Sequence, residues 1–395
     1  MTKRIAFGAM NNEKNENTLI QLQKLLLDKN TPFVSYRLPD EAEVITQIQY
    51  KSQPVEIDFS TFDYSQSGFI LSPFSVSENS KSWFLNPDIM MKDNHIPENL
   101  FKDITENSVF FTKNQENQNL QTTSEEDFCN YVNAAIQDIK AGKLRKVVLS
   151  KVRKQENPAN FCAATFFHTL CKKYPHAMVY LLQMPGAGCW MGATPEPLIQ
   201  LNGTQAHTIS LAGTQVASEK PLVAYNWTQK EIEEQQIVTE FVENSLHESG
   251  FTNIFKKGPA NHQAANLIHL KTEFRFDIGH ENCTGEIIKT LHPTPSVGGL
   301  PKAEAHDFIA TYEKHDRTYY TGFLGPVNVG AQTNIFVNLR CLQLFGNEFV
   351  LYSGAGITAS SVAQNEWIET DNKMLTMLNA MRTSKPLIPA TAGKL

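Results

Sequence analysis

The six cysteines of this 395-residue chain (Cys129, Cys162, Cys171, Cys189, Cys283 and Cys341) include no C-x-x-C pair. That spacing excludes a zinc-ribbon site and argues against a disulfide framework, so free thiols in a reducing cytoplasm are expected. Long apolar runs are missing too. The longest, Ala177 to Leu182, falls far short of the roughly 20 residues that cross a bilayer. Met1 to Gly8 carries basic residues, but Asn11 to Asn17 turns strongly polar where a secretory leader would be apolar. Basic runs interleaved with aromatics are absent and the net charge is -6, which speaks against nucleic acid as a partner. There is no internal repeat. With 41% hydrophobic and 19% charged residues, what remains is an ordinary globular composition, long enough for a large core.

Residues 1–118 are rich in Asn, Gln and Lys, with short apolar pieces such as Gly68-Phe69-Ile70-Leu71. Thr18 to Leu27 reads as a helix with a Leu19, Leu22, Leu26, Leu27 stripe. Lys113 to Thr123 has little to bury and reads as a connector. Ser124 then looks like an N-cap before Glu125-Glu126-Asp127, for a helix running to about Lys140 and stopping at Gly142. Strand-like runs follow at Lys146–Val152, Met178–Leu182, Leu198–Leu201, Ala206–Leu211, Ile335–Arg340 and Glu348–Tyr352, with a long amphipathic helix over Lys230–His247. Strands grouped with strands predict an α+β fold with large antiparallel sheets and helices outside, rather than βαβ alternation. The tail from 386 to 395 reads as loose.

Several stretches carry candidate chemistry. Near the C-terminus Ser353-Gly354-Ala355-Gly356-Ile357 reads as a Gly-rich turn leading into a helix. On that helix Glu366, Glu369 and Lys373 share one face, opposite an apolar stripe of Trp367, Ile368, Met374, Leu375 and Leu378. Carboxylates at i, i+3 can share a hard cation, although a charged face alone is ordinarily just solvated. Glu231 and Glu234 repeat the spacing on the 230–247 helix, where an acidic first turn is also explained by the helix dipole. Lys146 stands in the apolar strand Lys146–Val152: at a surface it would snorkel, in a pocket it would serve as a base. Glu196 is held between Pro195 and Pro197, either in a surface turn or as a rigidly placed general acid. Ser210-Leu211-Ala212-Gly213-Thr214 ends a strand in a Gly turn able to offer N–H groups and a hydroxyl to an anion. His292 sits alone in Leu291-His292-Pro293-Thr294-Pro295-Ser296-Val297-Gly298-Gly299, with no metal-ligand spacing around it.

Taken in order, these stretches resemble the chorismate-utilising enzymes, the isochorismate, salicylate, anthranilate and aminodeoxychorismate synthases, over residues 120 to 383. The resemblance implies one compact chorismate-binding fold with a deep cleft, catalytic over residues 119–385 and completed by residues 1–118. It also implies one Mg²⁺, with Glu234 and Glu369 as ligands and Glu231 and Glu366 as a second pair acting through water. Gly213, Thr214, Tyr320, Arg340, Gly354 and Lys373 resemble positions that hold the substrate carboxylates. Ammonia-using members typically carry Gln in place of Lys146, and aminodeoxychorismate synthases carry Lys in place of Ala212. Lys146 with Ala212 therefore resembles the water-using pattern, with Lys146 as base and Glu196 as acid.

The implied reaction is conversion of chorismate to isochorismate, in the service of menaquinone or siderophore synthesis. Salicylate synthesis, by further loss of pyruvate, is the alternative, and a chorismate-binding relative without catalysis is another. The loop after His292 is closer to the isochorismate synthases. Two residues depart from the family pattern: Gln235 stands where a histidine is usual, and Ser210 where a proline is usual. A cytoplasmic monomer without a glutamine amidotransferase subunit is expected, and His292 is expected to shape the pocket without moving a proton.

Overall fold

A computed structural model of the chain describes residues 16–93, 95–109, 120–251, 253–264, 267–278 and 283–383. The helix predicted over 18–27 is found over 16–28, with Leu19, Leu22 and Leu26 buried. The next predicted helix is Glu125–Lys140, and Ser124 Oγ caps it by accepting a hydrogen bond from the Asp127 N–H at 3.0 Å. The last part of the expected connector is tied down. Thr122 and Thr123 accept hydrogen bonds from the backbone of Lys154 and Val152 through their hydroxyls. Residues 113–119 and the 386–395 tail lie outside the described residues.

Two nine-stranded antiparallel sheets are built from the strand-rich runs. Edge to edge, the first contains Gly299–Leu300, Lys146–Glu156, Glu348–Ile357, Cys341–Phe345, Gly188–Thr194, Met178–Met184, Phe33–Arg37, Ile45–Ile48 and Ile89–Lys92. The second contains Phe255–Ala264, Leu267–Asp277, Gln205–Val216, Pro197–Asn202, Gln332–Val337, Phe323–Val327, Gly68–Ser72, Ser82–Leu85 and Val55–Ile57. Strands from residues 33–92 are thus members of both sheets.

A core with Tyr36, Tyr180, Trp190 and Tyr352 from the first sheet and Phe69, Leu71, Leu324 and Phe336 from the second lies between them. Helices cover the outer faces, with 16–28, Ala163–Lys173 and Ala363–Thr383 packed on the first sheet. Gln229–Glu248 and Thr284–Leu291 pack on the second. Among the described residues no helix is long and apolar enough to cross a membrane.

Three local expectations are corrected. The Gly-rich segment 353–357 is not a turn: the strand Glu348–Ile357 runs through it and pairs Gly354 with Ser150 and Gly356 with Val148. Likewise the strand Gln205–Val216 continues past Gly213, where a bulge between Ala212 and Gln215 absorbs the glycine's φ of 68°. Lastly, the expected apolar stripe of the C-terminal helix is not wholly buried. Glu366 is 2% exposed, whereas Ile368 of the expected apolar stripe is 49% exposed. Charge opposite an apolar stripe usually means solvent, but here the charged face meets lysines.

Candidate active site

Where the two sheets come together at their glycine-bearing strands lies a partly open cavity of about 640 Å³, a volume that includes space open to solvent. Of the residues singled out in the sequence, Glu196, Gly213, Thr214, Glu234, Tyr320, Arg340, Gly354 and Lys373 line it. Ala212 and Ser296 join them. The strand Gly188–Thr194 delivers Glu196, whose carbonyl accepts a hydrogen bond from the Val337 N–H at 2.9 Å. The carboxyl is buried, and burial pushes it up to about 7 against the pull of Lys146, Ser296, Arg340 and Lys373.

Arg340 follows the strand Gln332–Val337, which ends sooner than the predicted Ile335–Arg340 run. Its backbone is left-handed, with φ of 49°, a conformation tolerated where the surroundings demand it. Among the described residues its NH1 is buried without a hydrogen-bond partner. Its NH2 lies 3.3 Å from His269 Nε2. His269 Nδ1 is 2.7 Å from the Gly213 carbonyl, which can only accept, so Nδ1 carries the hydrogen and Nε2 is left to accept from Arg340. Burial pushes this imidazole down to about 3, so it stays neutral. Tyr320 stacks on Tyr352, and Tyr352 on Trp190, which stiffens the adjoining wall.

Three carboxylates are each met by one lysine, and of them Glu234 lines the cavity while Glu366 and Glu369 lie outside its lining. Glu234 Oε1 is 3.1 Å from Lys146 Nζ, Glu366 Oε1 is 2.9 Å from Lys230 Nζ, and Glu369 Oε1 is 2.7 Å from Lys373 Nζ. Burial raises Glu366 to about 6 despite Lys230. At Glu369 burial acts in the same direction, but Lys373 and Lys230 outweigh it and hold the carboxyl low. Glu366 Oε2 is buried without a partner among the described residues, and so is Lys146 Nζ apart from its ion pair. Gly356 makes the Lys146–Glu234 pair possible, since a Cβ there would stand 2.1 Å from Glu234 Oε1 and 2.9 Å from Lys146 Cε.

Glu231 stands apart from this set. Its carboxylate turns back to the Thr228 N–H at 2.8 Å and to the Thr228 hydroxyl, closing a capping box on the helix Gln229–Glu248. Among the described residues no three acidic, His or Cys side chains converge as a ready-made metal cage. The oxygen donors and the orphaned Glu366 oxygen nevertheless suit a hard cation.

His292 is not on the wall. It packs edge-on to Phe323, its Nε2 lies 3.3 Å from the Phe74 carbonyl, and burial pushes it down to about 4. Gln235 and Ser210 prove to be partners: Gln235 Nε2 donates to the Ser210 hydroxyl at 3.0 Å and to its carbonyl at 3.2 Å. His269 and Lys230 were not singled out from the sequence. A lone histidine in the strand Leu267–Asp277 was the available signal for the first, while Lys230 looked like part of a solvated helix turn.

A family model described as chorismate binding enzyme matches residues 22–382. Over 269 residues the chain is 27% identical to isochorismate synthase DhbC of Bacillus subtilis, covering 65% of this chain and 68% of that one. Over 240 residues it is 28% identical to isochorismate synthase EntC of Escherichia coli, covering 59% and 61%. The match thus spans less than two thirds of EntC. The solved structure of MenF, the menaquinone-specific isochorismate synthase of Escherichia coli, superposes with a TM-score of 0.74 over 90% of each chain at 20% identity, a likeness of fold.

Proposed function

The chain belongs to the chorismate-binding enzyme family, and from that membership we propose that it is an isochorismate synthase, adding water at C2 of chorismate and releasing the C4 hydroxyl. The observation that carries this reading is Glu196, a buried carboxyl on the cavity wall pushed up to about 7. Such a group holds its proton near neutral pH and can deliver it to a departing hydroxyl, a contribution of about 10² to 10⁴ in rate. Lys146 takes the proton of the attacking water, from its place behind Glu234 where Gly356 leaves room. Ala212 brings no amine to the wall, which supports water as the nucleophile.

Arg340, Tyr320, Gly213, Thr214, Gly354 and Lys373 hold the substrate carboxylates, with the unpaired Arg340 NH1 as the strongest donor. When bound, Mg²⁺ supplies fixed positive charge against those carboxylates. Glu234 and Glu369 are the side chains that would hold it, with Glu366 beside them; Glu231 is spent on its helix cap. We further propose a cytoplasmic monomer that works without a glutaminase subunit, in keeping with six cysteines that lack C-x-x-C spacing.

The test is incubation of the purified protein with chorismate and Mg²⁺, chromatography of the products, and repetition with EDTA and with ammonium. Isochorismate alone, lost on chelation, is expected. Salicylate with pyruvate would move the protein to the lyase branch, anthranilate in ammonium would replace water by ammonia, and chorismate binding without turnover would make it a non-catalytic relative.

A further inference from the structure

The strand Gln332–Val337 belongs to the second sheet and the strand Cys341–Phe345 to the first, so residues 338–340 carry the chain from one sheet to the other. Asn338 opens this crossing and is fully buried. Its backbone N–H donates to the Gly322 carbonyl at 2.8 Å, and its carbonyl accepts from the Thr321 N–H at 2.9 Å. The Tyr319 carbonyl can only accept, so the Asn338 side chain turns Nδ2 to it at 2.9 Å. That leaves Oδ1 to accept from the Tyr180 hydroxyl at 2.5 Å. Three of these four bonds end on one turn, residues 319–322, and the fourth anchors it to the strand Met178–Met184 of the first sheet.

That turn is strained. Thr318 and Thr321 both have left-handed backbone, with φ of 48° and 60°, where a β-branched residue is an outlier. Such residues persist only where their surroundings over-determine them. Between them the turn carries Tyr320 to the cavity wall, and its hydroxyl comes so near the first sheet that a Cβ at Gly354 would stand 3.1 Å from it. We propose that Asn338 is a positioning residue, whose side-chain amide holds the 319–322 turn in its strained form and so presets the Tyr320 hydroxyl for a substrate carboxylate. The inference rests on the function proposed above. Without the amide, the Tyr319 carbonyl and the Tyr180 hydroxyl lose their partner and Thr321 relaxes towards ordinary φ. The substrate must then bring Tyr320 back into place, which weakens binding.

The experiment compares the full chain with its Asn338→Ala variant, measuring steady-state chorismate consumption and, by equilibrium dialysis, chorismate affinity. In Asn338→Ala, KM and Kd should rise at least about tenfold while kcat stays within about threefold, because a carboxylate contact serves substrate and transition state alike. Tyr320→Phe should raise both constants in the parent and add little in Asn338→Ala, since the amide acts through that hydroxyl. Should Asn338→Ala not fold, Tyr180→Phe, which only frees the amide oxygen, is expected to show the same split with a rise of at least about threefold.

A KM and Kd that stay within about twofold in the folded variant, with only Tm or the active fraction lowered, would overturn the proposal and leave Asn338 a purely structural amide. Full additivity of Asn338→Ala with Tyr320→Phe would overturn it too, as would a Tyr320→Phe that binds chorismate like the parent. In each of these cases the parent still binds chorismate, so the positioning role alone fails. If the parent does not bind chorismate at all, the proposed function fails and the role of Tyr320 falls with it.

Discussion

At Glu196 a single residue joins chemistry to stability. Its carboxyl is buried and raised to about 7 from an ordinary 4.5, so the native state binds this proton more tightly than the unfolded chain. The stabilising proton is fully in place below about 4.5 and is lost as pH rises through about 7. The same loss removes the general acid. We expect kcat/KM for chorismate to fall above about pH 7 on this limb, and Glu196→Gln, which mimics the protonated form, to lower kcat by about 10² to 10⁴. Thermal melts should show Glu196→Gln gaining stability relative to the parent between pH 5 and pH 8. A gap that does not widen over that range would contradict the burial argument.

Gly356 and Gly325 make a contrast on the same scale. A Cβ at Gly356 would strike the end of the Glu234 side chain, which can swing away. Gly356→Ala should therefore fold with only a modest fall in Tm but lose at least about tenfold in turnover, as steady-state kinetics would register. At Gly325 the added Cβ would stand 1.9 Å from the Asn334 backbone carbonyl inside a ladder, where nothing can swing.

At the scale of elements, the position of the strand Lys146–Glu156 depends on a buried ion pair outside the cavity. Arg317 NH2 is 2.5 Å from Glu313 Oε1 and also donates to the Val148 carbonyl at 2.7 Å. Its NH1 donates to the Val297 carbonyl at 2.8 Å. Glu313 in turn accepts from the Ser150 N–H at 2.6 Å and from the Ser150 hydroxyl at 2.8 Å. Two stretches of cavity wall are thus fastened to one guanidinium. Removing the carboxylate with Glu313→Ala leaves that charge buried and unpaired, and should cost about 3–5 kcal/mol in a denaturant melt. The Arg145–Glu240 pair is exposed on both sides, and Glu240→Ala should cost less than about 1 kcal/mol. Similar costs for the two substitutions would show that burial is not what separates them.

For the whole molecule, the question is whether residues 1–118 can be removed. Phe33–Arg37 lies inside the first sheet, paired with Met178–Met184 on one side and Ile45–Ile48 on the other. Gly68–Ser72 continues the second sheet beyond Phe323–Val327. Deleting these strands uncovers the ladder edges and the core facing Tyr36 and Phe69. A chain beginning at residue 119 should fail to give a cooperative melt, and limited proteolysis should degrade it throughout. A stable, chorismate-binding 119–395 fragment would mean that the sheets hold without their outer strands.

Periodicity and turn residues in the sequence determined the helices 16–28, 125–140 and 229–248 and most strand centres, because these are local preferences that burial reinforces. The order of its motifs determined the family, now matched over residues 22–382. Only the tertiary structure decided which way the charged side chains face. The sequence of Glu366, Glu369 and Lys373 reads as a solvated surface, and nothing nearby in the chain announces Lys230 as their neighbour from a helix more than 130 residues earlier. Glycines at 354 and 356 read as a turn until the strands paired and a carboxylate from the other sheet's helix needed the space at Gly356. Gln235 and Ser210 look like separate departures until hydrogen bonds from the Gln235 amide to the Ser210 hydroxyl and carbonyl join them. Local structure follows from local sequence, whereas charge pairing and close approach are contacts between distant segments, and those come into being only when the sheets pack.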